Sequence, residues 1–244
     1  MAKIMAIVNL TPDSFFAPSR VEASGALARV GELLAQGADI IDFGAVSTRP
    51  GAQDVPVEQE WERLEPVLRR CDGSFEFSID TTSAEIVRRA YALAGPFIVN
   101  DISAGEDDPE MLPTVSRLGL KYIAMHKRGN PRTMDSRCEY PEGVVPALVD
   151  YFRRFERIAA ETGIGEWILD PGLGFAKTPQ QCWEILEQLE AFAPLGRPVL
   201  IGAADKRFTA GDTEKAHRTA LLHGADILRV HDVPAAIQTL KDLA

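Results

Sequence analysis

The feature that most limits what this chain can become is an alternation repeated eight times. A short apolar run rich in β-branched residues is followed each time by an amphipathic segment of helical length. The runs fall at 4–9, 38–44, 75–80, 97–101, 121–126, 167–170, 199–202 and 227–230. The amphipathic segments fall at 22–36, 57–71, 83–93, 109–118, 142–162, 179–192, 213–223 and 234–243. Consecutive apolar positions in such short runs mark strands covered on both faces, the pattern of a parallel sheet. Spacings of three and four, as in Leu27, Val30, Leu33 and Leu34, mark helices with one apolar stripe. Gly37, Gly119, Gly163 and Gly224 stand just past four of these segments, where a left-handed C-cap favours glycine. Eight strand–helix pairs in 244 residues predict one α/β domain over 1–244, a (β/α)8 TIM barrel. A doubly wound open sheet shares the alternation, because periodicity alone does not close a ring. No linker or low-complexity run breaks the pattern.

Composition narrows the class further. No apolar stretch reaches the ~20 residues of a membrane span. The first residues form a short apolar run without a small-residue cleavage site, which reads as a strand and not a signal peptide. Cys71, Cys138 and Cys182 are odd in number and widely spaced, so neither a disulfide framework nor a zinc site is indicated. A reduced, cytoplasmic protein is expected. With 26 Lys+Arg against 36 Asp+Glu, the net charge of −10 argues against nucleic-acid binding. It leaves open small anionic ligands, which respond to local charge in a cleft.

Barrel chemistry collects at the C-terminal ends of the strands. Reading that layer along the chain gives Asn9, Asp42, Asp80, Asn100 with Asp101, His126, Asp170, Lys206, and the group Arg229, His231 and Asp232. Asp80, Asn100 and Asp170 are acceptors suited to the paired N–H donors of an aminopyrimidinone edge, as in a pterin or guanine. Lys206 is a donor for a ring carbonyl or ring nitrogen. Arg229 and His231 suit an anion such as a phosphate ester, and Asn9 is a hard oxygen ligand compatible with Mg²⁺. Asp13 and Asp101 are equally readable as loop caps. His217 and His223 lie on the seventh helical segment and read as solvated or satisfied side chains, as do the pairs Arg69–Arg70 and Arg88–Arg89. The stretch Val46-Ser-Thr-Arg-Pro-Gly51 carries phosphate-binding chemistry but is also an ordinary turn sequence. The stretch 170–178 ends in Lys-Thr like a phosphate-cradling loop, yet Pro171 and Ala176 stand where that motif needs glycines.

These residues, taken in order, resemble the dihydropteroate synthase family over nearly the whole chain. The motifs are Ile7-Val-Asn-Leu-Thr-Pro-Asp-Ser-Phe15, Gly37-Ala-Asp-Ile-Ile-Asp42, Ser47-Thr-Arg-Pro-Gly51 and Ser78-Ile-Asp-Thr81. They continue with Asn100-Asp101, Met125-His126, Arg128-Gly-Asn-Pro-Arg-Thr-Met134, Asp170-Pro-Gly-Leu-Gly-Phe175 and Gly224-Ala-Asp-Ile-Leu-Arg-Val-His-Asp232. The resemblance implies condensation of 6-hydroxymethyl-7,8-dihydropterin diphosphate with 4-aminobenzoate, forming dihydropteroate and pyrophosphate. It implies that Asp80, Asn100, Asp170 and Lys206 hold the pterin, in a pocket lined by Asp42, Met125, Phe175 and Gly202. It implies that Asn9, Arg229 and His231 bind the diphosphate with Mg²⁺, and that Thr48 and Arg49 help close the site. Lys206, Asp80, Arg229 and His231 would then carry the catalysis, and a homodimer is the implied assembly. The neutral aromatic amine needs no strong base, in keeping with the absence of a Ser/His/Asp triad in the sequence.

The sequence departs from the family pattern in places. Ala204-Asp205-Lys206-Arg207 replaces the usual Ser-Arg-Lys-Ser, Gly44-Ala-Val-Ser47 loses an acid, and Ala17-Pro-Ser19 replaces Asp-Gly-Gly. The seventh helical region is short. Two other readings share the barrel: a non-catalytic pterin-binding paralogue and a pterin-dependent methyltransferase domain.

Overall fold

The computed structural model describes residues 2–10, 20–46, 55–129, 133–204 and 206–243, with backbone alone at 20–24 and 135. Eight strands run β1 (Lys3–Asn9), β2 (Ile40–Gly44), β3 (Glu76–Asp80), β4 (Ile98–Asp101), β5 (Lys121–Met125), β6 (Trp167–Asp170), β7 (Leu200–Ile201) and β8 (Ile227–Val230). The helices between and after them are α1 (Arg20–Ala35), α2 (Val57–Leu68), α3 (Ala84–Ala94), α4 (Met111–Leu118), α5 (Val144–Thr162), α6 (Pro179–Leu186), α7 (Thr213–Leu222) and α8 (Val233–Lys241). All pairings are parallel, in the order β6-β5-β4-β3-β2-β1-β8-β7. A bridge between Leu169 and Val199 joins the two end strands. The sheet is therefore a ring, and the open-sheet alternative falls away.

The ring's interior is a small apolar plug of Met5, Ile40, Ile98, Ile123, Leu200 and Ile227. Outward-facing residues such as Phe43, Phe77, Tyr122 and Trp167 pack against the helices in a larger cluster. Strand side chains alternate faces, so the residue two places after an interior one is interior too, one layer nearer the mouth. Ile40 leads to Asp42, Ile98 to Asn100, Ile123 to Met125, Ile168 to Asp170, Leu200 to Gly202, and Ile227 to Arg229 and then His231. The mouth is polar because the alternation continues past the point where the core stops being apolar.

Local chemistry sets the helix ends. The Ser83 hydroxyl accepts from the Ile86 amide at the start of α3, and Thr178 with Gln181 forms a reciprocal capping box at the start of α6. Gly119 and Gly163 end α4 and α5 in the left-handed conformation, as their sequence positions predict. The segment expected to be helical over 179–192 ends its α-helix at Leu186 and resumes as a 3₁₀ turn, Leu189–Leu195, which contains Pro194. Helix α7 has 10 residues, against 8 in α4, 8 in α6 and 9 in α8. Among the described residues, no helix is long and apolar enough to cross a membrane.

Candidate active site

One half of the barrel mouth is built on acids. Strand register places Asn9 beside Gly44, Gly44 beside Asp80, and Asp80 beside Asn100, in a single layer. One layer deeper, Asp42 is fully buried. It accepts from Ser78 Oγ at 2.5 Å, from Asn100 Nδ2 at 3.3 Å and from Arg229 Nε at 2.7 Å. A terminal nitrogen of Arg229 also reaches Asp80 Oδ2 at 2.9 Å. The sequence reading aimed Arg229 at a phosphate. In the structure its Nε and one terminal nitrogen are engaged by the two carboxylates, a counter-charge that two acids in adjacent layers of one mouth call for. Burial pushes Asp80 up to about 7, against the pull of Arg229 and with the push of Asp42.

The other half is built on lysines. Asp170 accepts from the Gly172 amide at 2.7 Å, and burial raises its carboxyl against the opposing charge of Lys206. Lys206 donates to the Leu173 carbonyl, and its ammonium lies 4.7 Å from the centre of the Phe175 ring. Burial lowers Lys206 to about 8. Met125, the register partner of Asp170, lines the same wall, and Gly202 leaves β7 without a side chain where the layer continues.

Asn9 presents its amide oxygen over Gly44: a Cβ on Gly44 would lie 3.5 Å from Asn9 Oδ1 and 3.9 Å from Asp80 Cβ. A single amide oxygen fits Mg²⁺, which keeps several waters and takes the rest of its ligands from substrate phosphates. The described residues contain no group of three His, Cys, Asp or Glu that could hold a metal alone. His231 lies in the wall of a cavity of about 210 Å³ shared with Thr213, His217 and Asp232. A second hollow of about 310 Å³ is lined by Lys206, Arg207, Thr209 and Gly211.

Several candidates prove structural. Asp101 faces away from the mouth and caps its own loop, accepting from the Ser103 and Gly105 amides and from Tyr122 Oη. Asp232 caps α8 through the Ala235 amide. His223 pairs with Glu190 at 2.7 Å. His217 is buried rather than solvated, with Nε2 unpartnered. Arg89 bridges Glu58 and Glu85 on the helical surface. Asp13, Thr48, Arg49 and Asp205 lie outside the described residues.

This geometry can be set beside known proteins. The model of the family described as pterin binding enzyme matches residues 5–231. The chain belongs to the pterin-binding enzyme family. It is 37% identical to the dihydropteroate synthase of Synechocystis sp., over 98% of this chain and 88% of that one. It is 38% identical to the folic acid synthesis protein fol1 of Pneumocystis carinii over 94% of its own length, but spans only 34% of that longer protein. Its fold matches the structure of Xanthomonas albilineans dihydropteroate synthase with 4-aminobenzoic acid at a TM-score of 0.88 and 33% identity, covering 99% of this chain and 92% of that one.

Two groups in this pterin-binding fold escaped the sequence reading. Ser78 is interior by the same two-residue step that places Asp80, and that step was the signal that could have found it. Lys177 is 6% exposed and hydrogen-bonds around the end of β5 and the loop after β6. It lies in the very motif that failed as a phosphate loop, so its lysine went unassigned.

Proposed function

We propose that this protein is a dihydropteroate synthase, joining 6-hydroxymethyl-7,8-dihydropterin diphosphate to 4-aminobenzoate with release of pyrophosphate. The observation that carries the reading is the ring of acceptors, buried Asn100 and Asp170 with half-buried Asp80, facing Lys206 across one barrel mouth, in a chain whose relatives over nearly its whole length include dihydropteroate synthases. A buried carboxylate accepts two adjacent N–H donors side by side, which matches the amino and ring N–H of a pterin. Lys206 donates to the ring's acceptor edge, and Asp42, Met125, Phe175 and Gly202 line the slot.

The amine nitrogen of aminobenzoate forms a bond to the pterin methylene carbon as the carbon–oxygen bond to the diphosphate breaks. The electron pair leaves with the diphosphate, and the nitrogen, cationic once bonded to carbon, gives its proton to solvent water. His231 and Arg229 stabilise the departing charge, with Arg229 moving from its carboxylate partners toward the anion. Mg²⁺ held by Asn9 and the diphosphate oxygens would neutralise the leaving group. The family resemblance of Ser47-Thr-Arg-Pro-Gly51 assigns Thr48 and Arg49 to the amine as well. Positioning and electrostatics supply the rate, since the neutral amine needs no dedicated base.

The reading also includes a cytoplasmic location, in keeping with Cys71, Cys138 and Cys182 standing outside any disulfide. It is read as a homodimer on its α7 side, where Leu222 is 64% exposed; sedimentation at a monomer mass would remove the dimer. A coupled pyrophosphate-release assay tests the whole. Release should require both 4-aminobenzoate and Mg²⁺, and should vanish in Asp80→Ala and Lys206→Ala. Release without the amine, or full turnover in both variants, would reject it.

A further inference from the structure

The loop between β6 and α6 has an unusual backbone. Gly172, Gly174 and Ala176 all have positive φ, at 67°, 78° and 52°, a conformation strained for alanine. A Cβ on Gly172 would lie 2.1 Å from the His126 carbonyl oxygen, so the loop is pressed against the end of β5. A backbone so bent persists only where other groups hold it.

Lys177 supplies the hold. Its Nζ lies 2.9 Å from His126 Nδ1, 3.1 Å from the Gly172 carbonyl oxygen and 2.9 Å from the Phe175 carbonyl oxygen. Burial lowers Lys177 to about 7, and in its ammonium form its three N–H donors meet three close acceptors. Burial, with Lys177 and Arg128 nearby, drives His126 down to about 2, so its ring is neutral, and in the tautomer with its proton on Nε2 the ring offers Nδ1 to the lysine as an acceptor. The ring is fixed in turn, edge-on to Tyr151 with centroids 4.8 Å apart. Tyr140 Oη donates to the Ala176 carbonyl at 3.0 Å, which ties the loop from its other side. The loop so held carries the amide that binds Asp170, the carbonyl that binds Lys206, and the ring under that lysine.

We infer that Lys177 is a positioning residue for pterin binding: it gathers acceptors from the end of β5 and from both ends of the loop, and so fixes Asp170, Phe175 and Lys206 in place. The inference rests on the pterin reading of the site given above. Lys177 acts on the pocket through the loop it holds and through its charge, which favours the ionised form of Asp170.

Calorimetry with pterin diphosphate tests it, using the full chain and the variant Lys177→Met, which keeps the stem and removes the donors. Pterin affinity should fall about tenfold, the scale of a lost hydrogen bond to a charged group, while KM for 4-aminobenzoate stays within about twofold. In a double-mutant cycle, Phe175→Ala should cost less affinity in the Lys177→Met background than in the wild type, because the loop is already displaced. Equal losses for both substrates with additive cycles would mean a merely structural lysine and overturn the inference. So would wild-type pterin affinity in a folded Lys177→Met. If that variant does not fold, His126→Phe keeps the aromatic packing and removes one acceptor; it should weaken pterin binding alone, and unchanged affinity would overturn the inference. A wild-type protein that binds no pterin would instead reject the function itself.

Discussion

The two halves of the barrel mouth solve the same problem in opposite ways. Over β2, β3, β4 and β8, buried carboxylates are neutralised by a side chain, the Arg229 guanidinium, which reaches both Asp42 and Asp80. Over β5 to β7, two lysines, Lys177 buried and Lys206 half-buried, are held mostly by backbone carbonyls of one loop, those of Gly172, Leu173 and Phe175. The first half depends on a charge pair between strands, and the second on the conformation of a connection. Damage to the first should therefore appear as lost stability, and damage to the second as lost ligand affinity in a protein that still folds.

The largest effect is expected from Arg229→Met. It leaves Asp42 and Asp80 buried without their counter-charge, and breaking a buried pair costs about 3–5 kcal/mol. Urea denaturation should show that loss, and an unchanged midpoint would mean that the acid half does not rely on its arginine. Next comes Gly172→Ala on the lysine half. Its Cβ collides with the His126 carbonyl, and its left-handed φ costs about 1–2 kcal/mol. The variant should stay folded while pterin affinity drops; wild-type affinity would break the contrast.

The pH dependence sharpens it further. Asp80 rises from 3.8 to about 7 in the folded protein, so between these values the native state holds a proton that the unfolded chain has lost. Stability contributed by this group is complete below about pH 4 and falls as pH rises toward 7. Asp80→Asn should flatten that slope in thermal melts. Pterin donors favour the ionised carboxylate, so binding near pH 6 should release protons, seen as a heat that differs between buffers of different ionisation enthalpy. Affinity should climb toward pH 7 and decline above about 8, as Lys206 loses its ammonium. A flat profile would remove both assignments. The smallest effect belongs to Ser78→Ala, which takes one of three donors from Asp42 and should cost about 1–2 kcal/mol.

Much of this was legible in the sequence because strand periodicity is simple. Once Ile40, Ile98, Ile168 and Ile227 are placed inside the ring, the same step of two delivers Asp42, Asn100, Asp170 and Arg229. The step also separates Asn100 from Asp101, whose neighbouring positions face opposite ways. What the sequence withheld were partnerships between distant positions. Nothing local in the chain tells Arg229 that Asp42 lies within 2.7 Å, across 187 residues. Nor does periodicity reach into loops, where Lys177 finds its acceptors through three left-handed residues, one of them an alanine. The α6 boundary slipped for a related reason: a proline in a tightened turn keeps the amphipathic spacing while leaving the α-helix.

The seam between β6 and β7 carries one last consequence. Strand β7 is only two residues long and meets β6 through the single Leu169–Val199 bridge, whereas β1 and β2 pair across five positions. The wall of the barrel is thus a belt with a buckle. Hydrogen exchange should find that buckle as the lowest-energy opening of the ring, with amides at Leu200 and Ile201 exchanging ahead of those in β1 and β2. Because Lys206 lies five residues past the end of β7, the chain can loosen on its lysine half without unthreading the acid half, much as a clasp opens while the strap keeps its shape.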